Sequence, residues 1–183
     1  MKKKIIFVFI VLIGLSIAGL FIFFKEKTVY LSDIEPTYST VGYYDVCLNK
    51  DYEGNPLSLK VNGSEQTFEK GIFAHAYSTI VYDDLKKSFP TKFSTYMGIN
   101  KTAFNNPNTK VKFFIYFDQQ LVFSSEDISG SSDAVYFEME ANGVNRITLV
   151  IDSLDSNAND HGAWCAPLLT YKGGKLAWKN TLC

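Results

Sequence analysis

An all-β sandwich of the jelly-roll kind, preceded by one transmembrane helix, is the architecture this sequence predicts, on three observations. Residues 5–24 form an unbroken apolar run. Residues 28–183 hold many short segments of alternating polarity, separated by turn-forming residues. Outside the apolar run no segment sustains an i, i+3, i+4, i+7 apolar stripe over three turns, so long helices are not expected there.

The amino-terminal element comes first. Ile5 to Phe24 gives 20 residues without a charge, with Ser16 as the one polar side chain. Twenty helical residues rise about 30 Å, the hydrocarbon thickness of a bilayer. Lys2, Lys3 and Lys4 precede the run, while Lys25 and Lys27 are partly offset by Glu26. The positive-inside bias therefore keeps the amino terminus cytoplasmic and puts the remainder outside. A cleaved signal peptide shares the basic start, but its apolar core is usually only about 7 to 15 residues long. No small-x-small cleavage site follows Phe24 either. Residues 1–27 are thus read as a signal anchor and residues 28–183 as one exported domain, at the cell membrane in a single pass with the carboxy-terminal domain extracellular.

The division changes the electrostatics. The whole chain of 183 residues carries 18 Lys+Arg and 19 Asp+Glu. Five of those bases and one of those acids fall in residues 1–27, leaving 13 against 18, a net of −5, for the exported part. An acidic domain gains nothing from phosphate neutralisation, so nucleic acid is not an expected partner.

Within the exported part, Leu57-Ser58-Leu59-Lys60-Val61 alternates and runs into Asn62-Gly63, the dipeptide best suited to the positive φ angles of a tight hairpin. Further strands are expected at Ser78 to Tyr82, Phe93 to Ile99, Lys110 to Asp118, Leu121 to Phe123, Ala134 to Glu140, Asn145 to Asp152 and Leu168 to Tyr171. In the fourth of these eight segments one face carries Val111, Phe113, Ile115 and Phe117. So many short strands in one domain point to two packed sheets whose facing surfaces consume the aromatics.

Reactive residues are sparse. The chain has two histidines, His75 and His161, and no Gly-x-Ser-x-Gly elbow, which argues against hydrolase chemistry. Its three cysteines, Cys47, Cys165 and Cys183, leave at least one thiol outside any internal bridge. Asn180-Thr181-Leu182-Cys183 resembles, superficially, the cysteine strand of sortase-type transpeptidases. That family places its essential arginine after the cysteine, whereas Arg146, the one arginine here, lies before it. Asp152, Asp155, Asn157, Asn159 and Asp160 place five oxygen-bearing side chains within nine residues, a set suited to Ca2+, with Asp152, Asp155 and Asp160 as the charged ligands. The same residues equally describe a solvated loop whose Asp and Asn side chains bond their own turns.

Four segments, in order, carry a family resemblance: Val29-Tyr30-Leu31-Ser32-Asp33-Ile34; Leu59-Lys60-Val61-Asn62-Gly63 leading into Phe68-Glu69-Lys70-Gly71-Ile72-Phe73-Ala74-His75-Ala76; Ser78-Thr79-Ile80-Val81-Tyr82-Asp83; and Asp160-His161-Gly162-Ala163-Trp164. Together they resemble the NPCBM/NEW2 domain, the carbohydrate-binding module associated with glycoside hydrolase family 98 and grouped with carbohydrate-binding module family 51. The resemblance runs from about Val29 to Tyr171. It implies a discoidin-like β-sandwich, sugar binding by loops at one end, often a bound calcium, and a bacterial cell-surface setting. The chain departs from the family at Ala163, Ala166 and Asn100, where acids are common.

The resulting expectation is a non-catalytic, membrane-anchored module binding galactose-type or related glycans, with His75, Asp160, His161 and Trp164 as sugar contacts and no catalytic residues. A tryptophan face suits the apolar face of a pyranose, while imidazole and carboxylate groups suit its hydroxyls. The length leaves no room for a separate catalytic domain, so a partner enzyme or a cell-wall component is expected alongside the glycan and the membrane. The competing readings are the same fold used as a protein-interaction or cell-envelope module and, third, a Cys-dependent transpeptidase.

Overall fold

The computed structural model describes residues 26–155 and 158–173. The expected membrane-spanning run, Asn157 and Cys183 lie outside the described residues. Among the described residues no helix is long and apolar enough to cross a membrane.

Fourteen strands and three short 3-10 turns make up this part. In chain order the strands are β1 (Lys27–Tyr30), β2 (Tyr38–Thr40), β3 (Cys47–Leu48), β4 (Leu57–Val61), β5 (Ser64–Phe68), β6 (Gly71–His75), β7 (Ser78–Tyr82), β8 (Pro90–Ile99), β9 (Lys110–Phe117), β10 (Gln120–Ser124), β11 (Ile128–Ser129), β12 (Val135–Glu140), β13 (Ile147–Ser153) and β14 (His161–Tyr171). Neighbouring strands pair antiparallel throughout. One sheet runs β12-β8-β14-β6-β3, and the other runs β10-β9-β13-β7-β2 with β11 added to β9. The β4–β5 hairpin forms a third, two-stranded layer. The all-β sandwich is therefore what the residues build.

The alternating segments behave as expected. Val111, Phe113, Ile115 and Phe117 of β9 face inward and are buried, and the intervening Lys112, Phe114 and Tyr116 are half-exposed. The β4–β5 turn places Asn62 at φ 50° and Gly63 at φ 75°, the left-handed pair that a two-residue hairpin needs.

Between the sheets lies the main core, with Trp164, Phe93, Phe113, Ile72, Met97, Leu149 and Ile151 among its residues. A second apolar cluster sits on the opposite face of the first sheet, where Leu57, Leu59 and Phe68 of the hairpin cover Phe73, Ala163 and Cys165. The first sheet is thus buried on both faces along much of its length. That burial explains why β6 and the first half of β14 carry no polar-apolar alternation and fall outside the strands expected from the sequence.

β14 organises the domain. Its first half, His161 to Cys165, pairs with β6, and its second half, Leu168 to Tyr171, pairs with β1 along the same edge. A register shift between Cys165 and Leu168 separates the halves, with Ala166 at φ 48°. The expected strand Leu168 to Tyr171 is therefore only the end of an 11-residue strand.

Candidate functional site

Strand geometry decides which predicted residues meet. The register pairs His161 directly with His75, so both rings stand on the same, outer face of the first sheet, with centroids 5.3 Å apart. Trp164 is three residues on from His161, an odd step, and so points to the inner face. It is fully buried there, edge-on to Phe113 at 5.0 Å. Its ring therefore fills the core and offers no face to a sugar, which corrects its assignment as a stacking platform.

Asp160 also departs from expectation. It is fully buried, its Oδ1 accepts the Lys110 backbone N–H, and its carbonyl accepts the Ala76 N–H. Burial pushes its carboxyl pKa up, against the smaller lowering effects of its hydrogen bonds and of His75. Asp160 ties three segments together beneath the site and presents no carboxylate to a ligand.

The cation reading fails the same geometric test. Asp152 lies on β13 in register with Lys112, Asp155 follows the strand's end, and the Asp160 carboxylate is turned inward to Lys110. Among the described residues no three His, Cys, Asp or Glu side chains converge to hold a metal ion. Among the described residues, Asp152, Asp155 and Asp160 do not form the calcium site expected of them.

What the two histidines do line is a cleft of about 330 Å³, shared with Tyr43, Tyr44, Ala158 and Asn159. The tyrosines belong to the irregular loop before β3. Gly42 lets that loop close on the sheet, because any Cβ there would collide with the Ala76 carbonyl oxygen. Tyr44 stacks flat on Tyr52 at 4.2 Å, and Tyr52 meets His161 edge-on at 5.1 Å. Tyr43 packs edge-on against Tyr44 yet is 63% exposed, leaving most of its ring open. No periodic pattern marks these tyrosines in the sequence. The one available signal is two adjacent aromatics beside a glycine in a turn-rich segment, where an inward-facing role has no strand to support it.

Hydrogen bonding fixes the polarity of the histidines. His75 Nδ1 lies 2.6 Å from the Ala76 carbonyl, which can only accept, so the ring donates from Nδ1 and keeps Nε2 as an acceptor. At His161 the polarity is set by a relay. The Ser58 N–H donates to Asn100 Oδ1, which orients the amide so that Nδ2 donates to Thr102 Oγ1 at 3.0 Å. The Thr102 hydroxyl proton is then available to His161 Nδ1 at 2.8 Å, leaving the His161 proton on Nε2. Burial first, and the neighbouring His75 second, hold the His161 pKa down to about 4, against a weaker raising effect of Asp51, so the ring is neutral at pH 7. Asn100 is one of the positions where the family commonly has an acid, and here its amide starts this relay. Among the described residues neither Nε2 has a hydrogen-bond partner. The cleft thus holds one acceptor and one donor beside an open aromatic ring, a set matched to sugar hydroxyls on a pyranose.

A larger cleft of about 530 Å³ lies nearby, lined by Asp51, Glu53, Glu65, Lys101 and Thr102 among others. It has no aromatic wall, and the smaller cleft is the better sugar site for that reason. Thr102 of the larger cleft connects to the smaller one through its hydrogen bond with His161. Neither described thiol is activated: burial raises the pKa of Cys47 and, far more, that of Cys165, and both are free cysteines.

This architecture matches known proteins. The NPCBM/NEW2 domain pattern matches residues 27–170, and the chain belongs to that family. It carries the fold of family 51 carbohydrate-binding modules. The module from Clostridium perfringens GH95, solved in complex with methyl-galactose, is 29% identical with a TM-score of 0.73, over 78% of this chain and 99% of that one. The second such module of Clostridium perfringens ZmpB, solved with GlcNAc and with INT domains, is 28% identical with a TM-score of 0.74, over 79% of this chain and 32% of that one. The tandem modules of Sp3GH98 from Streptococcus pneumoniae SP3-BS71 are 26% identical with a TM-score of 0.71, over 80% of this chain and 47% of that one. No curated protein matches the chain.

Proposed function

We propose that this chain is a non-catalytic glycan-binding module, tethered to the membrane by residues 1–27 and displayed outside the cell, which takes a galactose-type or related sugar in the tyrosine–histidine cleft. The observation that carries the reading is the pair of imidazoles, one accepting and one donating, beside the exposed ring of Tyr43. A hydroxyl of the sugar donates to His75 Nε2, an oxygen of the sugar accepts from His161 Nε2, and the apolar face of the ring lies on Tyr43. The His161 ring adds no charge to the cleft at neutral pH, which suits a neutral sugar. Support for the sugar class comes from the methyl-galactose and GlcNAc complexes of modules 28–29% identical to this chain. The tether rests on the 20-residue apolar run and its flanking lysines.

The test is a glycan array with the full chain in detergent micelles, beside Tyr43→Ala, His75→Ala and His161→Gln. Galactose- or N-acetylhexosamine-terminated glycans are expected to bind the parent and to lose about tenfold or more in affinity with each variant. Failure of the parent to bind any glycan, or binding indifferent to all three substitutions, overturns the reading in favour of a protein-contact module.

A further inference from the structure

The end of the domain opposite the cleft has a composition of its own. β1 begins at Lys27, which pairs with Tyr171, and Tyr171 pairs in turn with Pro90 of β8. The loop leading into β8 holds Lys86, Lys87 and Phe89, and the Phe89 carbonyl accepts the Lys172 N–H. Lys27, Lys86, Lys87, Phe89 and Lys172 are thus gathered where the polypeptide enters the domain. Phe89 is 62% exposed and sits at φ 56°, a left-handed conformation unfavourable for a bulky side chain. The fold gains no burial from a ring held outward at the expense of backbone strain.

Acids share this end: Glu140 accepts the Asn142 side-chain amide, Asp118 accepts the Asn145 and Arg146 backbone N–H groups, and three more are ion-paired. Asp84 pairs with Lys87, Glu26 with Lys172, and Asp83 with Arg146 through two hydrogen bonds. Among the described residues Lys27 and Lys86 make no ion pair. The pairs of Lys87 and Lys172 are exposed and hold their ammonium groups only weakly.

We propose that this end of the domain rests on an anionic phospholipid surface, with Phe89 inserted at the headgroup level and Lys27, Lys86, Lys87 and Lys172 against the phosphates. The inference rests on the reading of residues 1–27 as a membrane anchor. Two facts select lipid as the occupant. The apolar run ends at Phe24, two residues before the first described residue, so this end cannot stand far from the bilayer the run enters. An exposed aromatic flanked by lysines is the side-chain pairing favoured at a membrane interface. Docking would orient the module as well as tether it: His161 and Tyr171 are the two ends of β14, 11 residues long, which places the cleft about 33 Å above the docked end.

The test uses the full chain in a Trp178→Phe background, reconstituted into vesicles of phosphatidylcholine with about one third phosphatidylglycerol. Phe89→Trp is compared with Tyr136→Trp, an exposed position on the flank of the first sheet. With brominated lipids, the Phe89→Trp emission is expected to be quenched several times more strongly than that of Tyr136→Trp. Lys86→Glu together with Lys87→Glu should remove most of the difference, each lysine contributing about fivefold to the docked population. Flotation of the same vesicles reports the anchor separately. A chain that floats while Phe89→Trp is quenched no more than Tyr136→Trp overturns the docking alone. Equal quenching on phosphatidylcholine vesicles overturns the requirement for anionic lipid, and a chain that does not float overturns the anchor and the docking with it.

Discussion

His161 and Trp164 lie three residues apart on one strand, and the contrast between them teaches how this sheet separates stability from recognition. The odd spacing sends the indole into the inter-sheet core and the imidazole to the outer face. On the inner face, side chains are selected for volume and close packing. On the outer face, the hairpin of β4 and β5 covers Phe73, Ala163 and Cys165 but stops short of His75 and His161, which the Tyr43–Tyr44 loop covers instead, leaving a cleft between them.

Substitutions on the two faces should therefore separate cleanly. The largest effect is expected for Trp164→Ala, which removes a fully buried indole and should cost about 3–5 kcal/mol of stability, read as a lower urea midpoint. A loss below about 1 kcal/mol would mean that the indole is not a core residue. His161→Gln comes next: glycan affinity should fall about tenfold to a hundredfold, as for loss of one buried polar partner, with a much smaller stability change than Trp164→Ala. Equal stability losses would erase the distinction between the faces.

Thr102→Val should be milder, lowering affinity by about fivefold, because the ligand contacts survive while the His161 tautomer loses its restraint. Nitrogen-15 shifts of His161 should report mixed tautomers in that variant and a single Nε2–H form in the parent. A further effect concerns pH. His161 has a folded pKa of about 4, below its ordinary value of 6.5, so the unfolded chain takes up the proton first as pH falls. Its contribution to stability is intact above pH 6.5 and declines between 6.5 and 4. Asp160 works the other way, since its raised carboxyl pKa favours the folded state on protonation. Urea midpoints of His161→Phe should consequently vary less across pH 4 to 6.5 than those of the parent.

The same contrast explains what can be read from the sequence. β4, β7 and β9 sit between one buried and one more open face, and their alternation or β-branched composition shows in the residues. β6 and the start of β14 are covered on both sides, so Gly71 to His75 and His161 to Cys165 display no alternation and are not among the strands expected from the sequence. A segment with no assigned element places no restriction on grouping His161 and Trp164 in one site, whereas a strand separates them by parity alone. His75 and His161 are legible because there are only two histidines. Tyr43 and Tyr44 are not, because their placement depends on the Gly42 contact with a segment 34 residues away.

The pairing of β1 with the final four residues of β14 also has a mechanical side. Four residue pairs join the strands, and their hydrogen bonds run across the strand axis. A pull between the amino end of β1 and a ligand held at the cleft acts along that axis, so it shears the four pairs together instead of peeling them one at a time. With the proposed anchor at residues 1–27 and a glycan in the cleft, load would run in the direction in which these four pairs resist together.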